Sequence, residues 1–120
     1  MTESVPPPLV DVRVEEDGQC TVVTVVGEVD ASSVEAVTPA LAAAVDARPG
    51  GVVVDLAGVR FFGSAGLSAL LAVHDHALLS GVPLVLVCSA VVARVLDVTE
   101  TRGFIAERDD VASARKSVGC

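Results

Sequence analysis

Apolar and charged residues alternate in the first regularly patterned part of the chain. In residues 9–15, valine occupies every second position from Val10 and a charged side chain occupies the positions between. This period of two predicts a strand with one buried face. Asp17-Gly18 predicts a turn, and the run CTVVTVVG that follows predicts a second strand, paired with the first as an antiparallel hairpin.

A helical segment follows Asp30. The residues SSVE at 32–35 have the spacing of a capping box, and they predict the start of an alanine-rich helix that reaches about Ala47. Pro39 lies inside this segment, so we expect it either to kink the helix or to mark its true first turn. The Pro-Gly-Gly sequence at 49–51 ends the helix.

Two apolar runs then flank a second helix. Residues 52–56 and 83–88 are almost continuously apolar, which is typical of strands covered on both faces. Residues 65–80 between them predict a helix, and one stripe carries most of its large side chains: Leu67, Leu70, Leu71, His74 and Leu78. A strand, helix and strand in this order predict a parallel pair with a right-handed crossover.

The last third of the chain completes an α/β fold. We expect a helix over residues 90–99, a short edge strand at Phe104-Ile105, and a final helix capped by Asp109 and ending near Ser117. The prediction is a single α/β domain with a mixed central sheet of four to five strands and about four helices. It covers residues 9–117, between a flexible N-terminal segment of residues 1–8 and a tail of residues 118–120.

Composition narrows the function. The chain has 120 residues, of which 52% are hydrophobic, and a formal net charge of −8. Nucleic-acid binding requires clustered lysine and arginine, whereas this chain has Lys116 alone and scattered arginines, so no nucleic-acid partner is expected. The N-terminus lacks the pattern of a signal peptide, and no apolar run approaches the roughly 20 residues of a membrane span. We therefore expect a soluble, cytoplasmic protein without membrane insertion.

The three cysteines lie far apart in sequence. They form no C-x-x-C pair, and their number is odd, which favours reduced thiols in the cytosol. Cys20 and Cys88 fall in predicted strands and are expected to be buried and inert. Cys120 ends the chain and is expected to be the reactive thiol.

Ser64 stands between two glycines in the sequence FFGSAGL, where a buried strand ends and a helix begins. One interpretation is structural: the hydroxyl caps the helix by accepting an N–H that has no partner in the first turn. The other is phosphate chemistry, because a helix N-terminus offers N–H donors and positive dipole charge to an anion. Both interpretations place Ser64 at the same point of the fold.

Three segments resemble the anti-sigma factor antagonists of the STAS-domain superfamily: GEVD at 27–30, DLAGVRFFGSAGL at 55–67 and PLVLVC at 83–88. The resemblance covers about residues 9–117 and implies the STAS fold. In that family a serine in this turn is phosphorylated by a cognate anti-sigma factor serine kinase and dephosphorylated by a phosphoserine phosphatase. Ser64 matches that serine, while Gly63 stands where an acid is usual and Ala65 where Ser or Thr is frequent.

The resemblance also implies a role and a contact surface. The unmodified protein would bind the anti-sigma factor and release a sigma factor for transcription, and phosphate on Ser64 would end that binding. The expected partner-binding residues are Asp30, Gly63, Ser64, Ala65, Gly66, Leu67 and Ser68. Catalysis, ATP and magnesium would belong to the kinase, so the chain itself is expected to be no enzyme and to hold no cofactor or metal.

Alternatives remain from other classes. The chain could be a STAS interaction module of a larger signalling or transport assembly, in which Ser64 is never modified. It could also be a receiver-like phosphorelay protein that is phosphorylated on Asp55, although the lysine that such a fold requires after its last strand is missing. His74 and His76 resemble metal ligands, but residues two apart point to different sides of a helix. The G-x-S-x-G pattern of hydrolases is absent because Phe62 replaces its first glycine.

Overall fold

The computed structural model describes residues 9–120, in which one five-stranded mixed sheet packs against four helices. In chain order the elements are β1 (Val10–Asp17), β2 (Cys20–Val29), α1 (Val34–Asp46), β3 (Gly51–Phe62), α2 (Ser64–Ser80), β4 (Leu84–Cys88), α3 (Ala90–Val98), β5 (Ala106–Glu107) and α4 (Val111–Ser117). The α/β fold predicted from the sequence is confirmed. The N-terminal segment predicted for residues 1–8 lies outside the described residues.

The strands are ordered β1-β2-β3-β4-β5 across the sheet. β1 and β2 form the predicted antiparallel hairpin, and β2, β3, β4 and β5 run parallel to one another. β3 and β4 pair from Val52 with Leu84 to Leu56 with Cys88, so the predicted parallel neighbours are confirmed.

Valine side chains from the central strands form the two halves of the core. Val52, Val54 and Leu56 face the larger cluster, which lies beneath α1, α2 and α3. Val53 points to the opposite face, where a smaller cluster includes Ala114 of α4. This alternation explains why β3 reads as one continuous apolar run: both of its faces are covered.

β3 is longer than its apolar run predicts. It continues to Phe62, and its pairing with β2 shifts register between Thr24 and Val26 and again between Gly27 and Glu28. Gly27 has φ of 118°, and a Cβ at this position would overlap the carbonyl oxygen of Leu9. The irregularity therefore requires glycine at this position.

Two predicted positions near the C-terminus are displaced. The edge strand is Ala106–Glu107 rather than Phe104-Ile105. The cap of the last helix is Asp110, whose Oδ1 accepts a hydrogen bond from the Ser113 N–H at 2.7 Å, rather than Asp109.

The predicted capping box at α1 is wrong. Ser33 occupies the N-cap position but makes no side-chain cap bond. Its hydroxyl instead donates to the Glu28 carbonyl at 2.7 Å and accepts from the Asp30 N–H at 3.0 Å. The capping-box spacing assigns the Ser32 hydroxyl to the helix, but that hydroxyl donates to Asp30 Oδ1 at 2.7 Å instead. Pro39 lies within α1 and does not start it.

The predicted buried stripe of α2 is rotated. Its buried residues are Gly66, Leu70, Val73 and Ala77, whereas Leu78 is 68% exposed. Leu67 and Leu71 are partly buried against the core. α2 packs mainly against α1 rather than flat on the sheet.

The predicted thiol chemistry is also corrected. Cys20 begins β2 and is 1% exposed, as expected, but it forms a disulfide with Cys120. Their Cα atoms are 6.0 Å apart although the residues are separated by 100 positions in sequence. Cys120 is therefore no free reactive thiol, and Cys88 is the free cysteine among residues 9–120.

Candidate functional site

The ends of β2 and β3 bring the two segments of the candidate site together. Val29 pairs with Phe62 as the last residues of the two parallel strands, and the Gly63 N–H then donates to the Val29 carbonyl at 2.9 Å. The chain therefore leaves the sheet at the carboxyl ends of both strands, which lie side by side. Asp30 follows Val29 and Ser64 follows Gly63, so this pairing brings both residues to one surface.

Ser64 is the first residue of α2, and its side chain is exposed. The N-cap is Gly63, which has extended backbone angles, and the first helical bond runs from the Leu67 N–H to the Gly63 carbonyl at 3.1 Å. The structural interpretation of Ser64 as the cap is therefore wrong by one residue. The hydroxyl points to solvent at the positive end of a 17-residue helix that has no acidic residue in its first turn.

Asp30 organises the other half of the site. Its Oδ1 accepts hydrogen bonds from the Ser32 hydroxyl at 2.7 Å, the Ser32 N–H at 2.9 Å and the Ser33 N–H at 3.1 Å. These bonds, with the Ser32 hydroxyl first, hold the pKa of Asp30 below its ordinary value. The carboxylate is thus ionised at neutral pH, and its bonds fix the turn that leads into α1.

Gly66 has a packing role at the start of α2. It is buried, and a Cβ at this position would lie 2.8 Å from Cε1 of Phe62 and 2.9 Å from Cγ1 of Val29. The first turn of α2 therefore sits directly on the ends of β2 and β3. Close contact, rather than backbone conformation, requires glycine here.

The remaining expected contact residues differ in exposure. Ser68 is exposed one turn after Ser64, whereas Ala65 and Leu67 are half-buried. Gly66 is covered by its own domain, so it supports the surface without forming part of it. Six of the expected contact residues therefore remain accessible to a partner: the exposed Ser64 and Ser68, and the half-buried Asp30, Gly63, Ala65 and Leu67.

Sequence reasoning missed Phe61. Its ring is 49% exposed, and its Cε1 atom lies 3.3 Å from the position that a Cβ of residue 63 would occupy. Phe62 points into the core while Phe61 points outward, because successive residues of a strand face opposite sides. Exposed aromatic rings are frequent anchors of protein interfaces. The consecutive phenylalanines before Ser64 were the signal that could have identified it.

Two other candidates from the sequence lie elsewhere. Asp55 is in the middle of β3 rather than at its end, and its Oδ1 accepts from the Ala57 N–H at 3.0 Å. His76 pairs with Asp46 of α1, with Nε2 and Oδ1 2.6 Å apart. In the described part of the chain, no group of three or more His, Cys, Asp or Glu residues is arranged to hold a metal ion.

The fold and this turn define a class: small α/β domains in which a helix N-terminus is exposed at the carboxyl end of a central strand of a mixed sheet. The family model for the STAS domain matches residues 11–114. The chain therefore belongs to the STAS-domain family. No curated protein sequence matches the chain. Across residues 9–120, no helix combines the length and hydrophobicity of a membrane span.

Solved structures of anti-sigma factor antagonists share this fold. One from Mycobacterium paratuberculosis is 26% identical to the chain, with a TM-score of 0.85 over 94% of this chain and 97% of that one. SpoIIAA in its unphosphorylated form gives a TM-score of 0.74 at 14% identity, covering 92% of this chain and 98% of its own. The phosphorylated form of SpoIIAA, a Bacillus cell fate determinant, gives 0.69 at 14% identity, covering 89% and 99%.

Proposed function

We propose that this protein is an anti-sigma factor antagonist whose Ser64 turn binds an anti-sigma factor serine kinase and is the site that the kinase phosphorylates. The exposed hydroxyl at the first position of α2 carries the proposal, because a kinase must reach a side chain that its substrate does not cover. The likeness to the mycobacterial antagonist at 26% identity supports the same role. Binding would release a sigma factor for transcription in the cytoplasm.

The switch follows from charge. Phosphate adds about −1.5 to −2 at neutral pH. The first turn of α2 has no acidic residue, and its N–H groups and the helix dipole favour a negative charge. The phosphorylated domain therefore keeps its fold. A partner that covers the neutral turn would instead have to desolvate a dianion next to the Asp30 carboxylate. Phosphorylation therefore changes what can dock and leaves the domain intact, and a phosphoserine phosphatase would restore binding.

The residues of the Ser64 turn indicate which protein supplies the catalytic groups and which is the substrate. Ser64 opens α2, and the first turn of this helix contains no acidic residue that could act as a base. In this proposal the chain acts as substrate and ligand, and ATP, magnesium and catalysis belong to the kinase. No cofactor, nucleic acid or membrane takes part.

The experiment measures binding to each anti-sigma factor kinase encoded in the same genome. Wild type and Ser64→Ala should bind one of them with similar affinity, whereas Ser64→Asp should weaken that binding at least about ten-fold. Ser113→Asp is the matched control, because it adds the same charge at an exposed serine in the first turn of α4, which packs on the opposite face of the sheet. If Ser113→Asp weakens binding as much as Ser64→Asp does, a general charge effect replaces the Ser64 switch.

A phosphorylation assay with the same kinase locates the modified atom. Peptide mass spectrometry should find phosphate on Ser64, and Ser64→Ala should abolish it. Acid treatment separates this outcome from the receiver-like alternative, because phosphoserine survives conditions that hydrolyse an acyl phosphate on Asp55.

The second candidate is a STAS interaction module in which Ser64 is never modified, and Gly63 in place of the usual acid favours it. Gly63→Asp tests this departure. Residue 63 has φ of −88°, and its Cβ would approach nothing closer than 3.3 Å, at the partly exposed ring of Phe61, so aspartate fits. Phosphorylation of Gly63→Asp but not of wild type would support the unmodified module.

A further inference from the structure

The two edges of the sheet differ in length. β5 pairs through two residues only, whereas β1 is an edge strand of eight residues. A long edge strand presents unpaired backbone groups to solvent and can pair with another strand. β1 is therefore the edge of this sheet that can accept a further strand.

The register of the hairpin shows which backbone groups of β1 are available. The Glu28 N–H donates to the Leu9 carbonyl at 2.8 Å, and the register continues without a shift from Val10 opposite Gly27. Hydrogen-bonded and non-hydrogen-bonded pairs alternate in an antiparallel ladder. The backbone groups of Val10, Val12 and Val14 therefore point away from β2, towards the open edge.

The side chains of β1 are sorted by face. Val10 and Val12 pack against the main core, while Val14 in the same row is 49% exposed. Asp11 and Arg13 lie on the opposite face, where they form an exposed ion pair at 3.1 Å. The edge thus carries an apolar row on one side and opposite charges on the other.

We propose that β1 pairs with β1 of a second copy of this chain in an antiparallel, two-fold symmetric dimer centred on Val12. In this register Asp11 of each copy faces Arg13 of the other, and Val10 faces Val14. Such symmetric contacts are the commonest form of homodimer. The exposed Val14 would then be covered by an apolar neighbour on the helix-covered face of the sheet.

The charge pattern selects this register over its neighbours. Centring the pair on Asp11 or on Arg13 places identical charges opposite each other, which is destabilising. Centring on Val14 pairs Arg13 with Glu15 but sets Asp11 against Asp17. Centring on Val10 opposes no like charges, but it sets Pro8, which cannot donate a backbone hydrogen bond, opposite Val12. Centring on Val12 opposes only unlike charges, twice by symmetry, and keeps the prolines outside the paired residues 10–14.

The proline run at residues 6–8 limits the ladder. Proline has no backbone N–H, so these residues cannot donate hydrogen bonds to a partner strand. Full pairing is confined to residues 10–14, where three hydrogen-bonded pairs contribute about six bonds between the strands. The expected dimer is therefore weak and concentration-dependent. β2 separates β1 from β3, so the pairing leaves the Ser64 turn accessible.

Sedimentation from about 1 μM to about 1 mM tests the proposal. Wild type should pass reversibly from monomer to dimer. Asp11→Arg and Arg13→Asp should each raise the dimer Kd about ten-fold or more, and the double variant should restore it because the charges are exchanged but complementary. Asp11 and Arg13 are both exposed, so the ion pair that they form within one chain contributes little to the stability of the monomer. The thermal unfolding temperature of each variant should therefore equal that of wild type.

Two controls keep the result specific. Glu15→Arg should leave the dimer Kd nearly unchanged, because Glu15 faces Leu9 in the proposed register, whereas it would disrupt a dimer centred on Val14. Ser64→Asp should sediment as wild type does, which keeps this test independent of the proposed function. A wild type that is monomeric throughout, a dimer insensitive to the single charge reversals, or a double variant that fails to recover would overturn the proposal.

Discussion

At the scale of single residues, one position separates a helix cap from a helical residue. Ser89 is a true N-cap, because its hydroxyl accepts from the Val92 N–H at 3.2 Å. Ser64 has the same sequence context of a strand ending before a helix, but Gly63 takes the cap position. The two serines therefore have different energetic roles, although each stands where a strand ends before a helix.

Ser64→Ala should leave the free energy of unfolding within about 0.5 kcal/mol of wild type, because the hydroxyl caps nothing. Ser89→Ala should lower it by about 1 kcal/mol, since a cap bond is lost. Urea unfolding of both variants makes the comparison. A loss at Ser64 as large as that at Ser89 would contradict the placement of Gly63 as the cap.

Asp30 gives a prediction for acid. Its folded-state pKa lies below the ordinary value of 3.8, so its contribution to stability is present above that pH and is lost as the pH falls through the lower folded-state pKa. In Asp30→Asn, stability should therefore fall less steeply than in wild type as the pH drops below 3.8. At neutral pH the difference in stability between the two proteins should be nearly independent of pH. Thermal unfolding between pH 2 and 7 is the measurement. Asp30→Asn with an unchanged acid limb would show that the Ser32 and Ser33 bonds do not hold the carboxylate.

At the scale of elements, α2 is positioned by its smallest residues. Gly66 allows its first turn to contact Phe62 and Val29, and Ala77 is buried further along the same helix. The large side chains Leu78 and Leu79 face solvent instead. The orientation of Ser64 thus depends on the close contact of the first turn with the strand ends, together with the buried Leu70 and Val73 further along the helix.

Gly66→Ala tests that contact. Alanine favours helix by up to about 1 kcal/mol, but its Cβ would overlap the buried Phe62 ring, and overpacking costs about 1–3 kcal/mol. We expect a net loss of about 1–2 kcal/mol in the free energy of unfolding. Ser68→Ala, an exposed position in the same helix, should be neutral or slightly stabilising. If calorimetry finds Gly66→Ala more stable than wild type, the contact is looser than described.

At the scale of the whole molecule, the disulfide joins the start of β2 to the end of the chain. It links Cys20 to Cys120 across 100 positions, so it constrains nearly the entire unfolded chain. Val118 packs over Gly51 just before it, which brings the last residues onto the sheet. Residues 118–120 are thereby attached to the domain by a covalent bond as well as by packing.

Cys120→Ser should lower the free energy of unfolding by about 2–4 kcal/mol, because the unfolded state gains the freedom that the cross-link removes. The control is reductant: it should destabilise wild type by a similar amount and leave Cys120→Ser unaffected. Equal stability of wild type with and without reductant would contradict a structural disulfide.

Thiol labelling checks the same assignment independently. Burial, followed by the neighbouring Glu107, raises the pKa of Cys88 to about 12, so this thiol is protonated and unreactive at neutral pH. Native protein without reductant should show no fast-labelling site. After mild reduction, Cys120 should label first because it is exposed and Cys20 is buried. A fast site in the non-reduced protein would contradict this arrangement.

Much of the site could be predicted because it depends on order along the chain. The apolar run of residues 52–56 and the helix predicted over residues 65–80 place Ser64 at a helix N-terminus, whatever the rest of the fold does. Whether Ser64 or Gly63 is the cap depends on the Val29 carbonyl, which takes the Gly63 N–H. That acceptor belongs to another strand, so the local pattern carries no information about it.

The sequence by itself determined the hairpin and the β3-α2-β4 unit, because alternation, helical period and turn residues act between near neighbours in the chain. The family was indicated separately, by the resemblance of the GEVD, DLAGVRFFGSAGL and PLVLVC segments to STAS domains. Only the tertiary structure decided the face that α2 buries, the extension of β3 beyond Leu56 and the pairing of Cys20 with Cys120. Each of these depends on contacts between segments distant in sequence. A disulfide forms only where two Cα atoms approach within about 7 Å, and composition and spacing do not specify that approach.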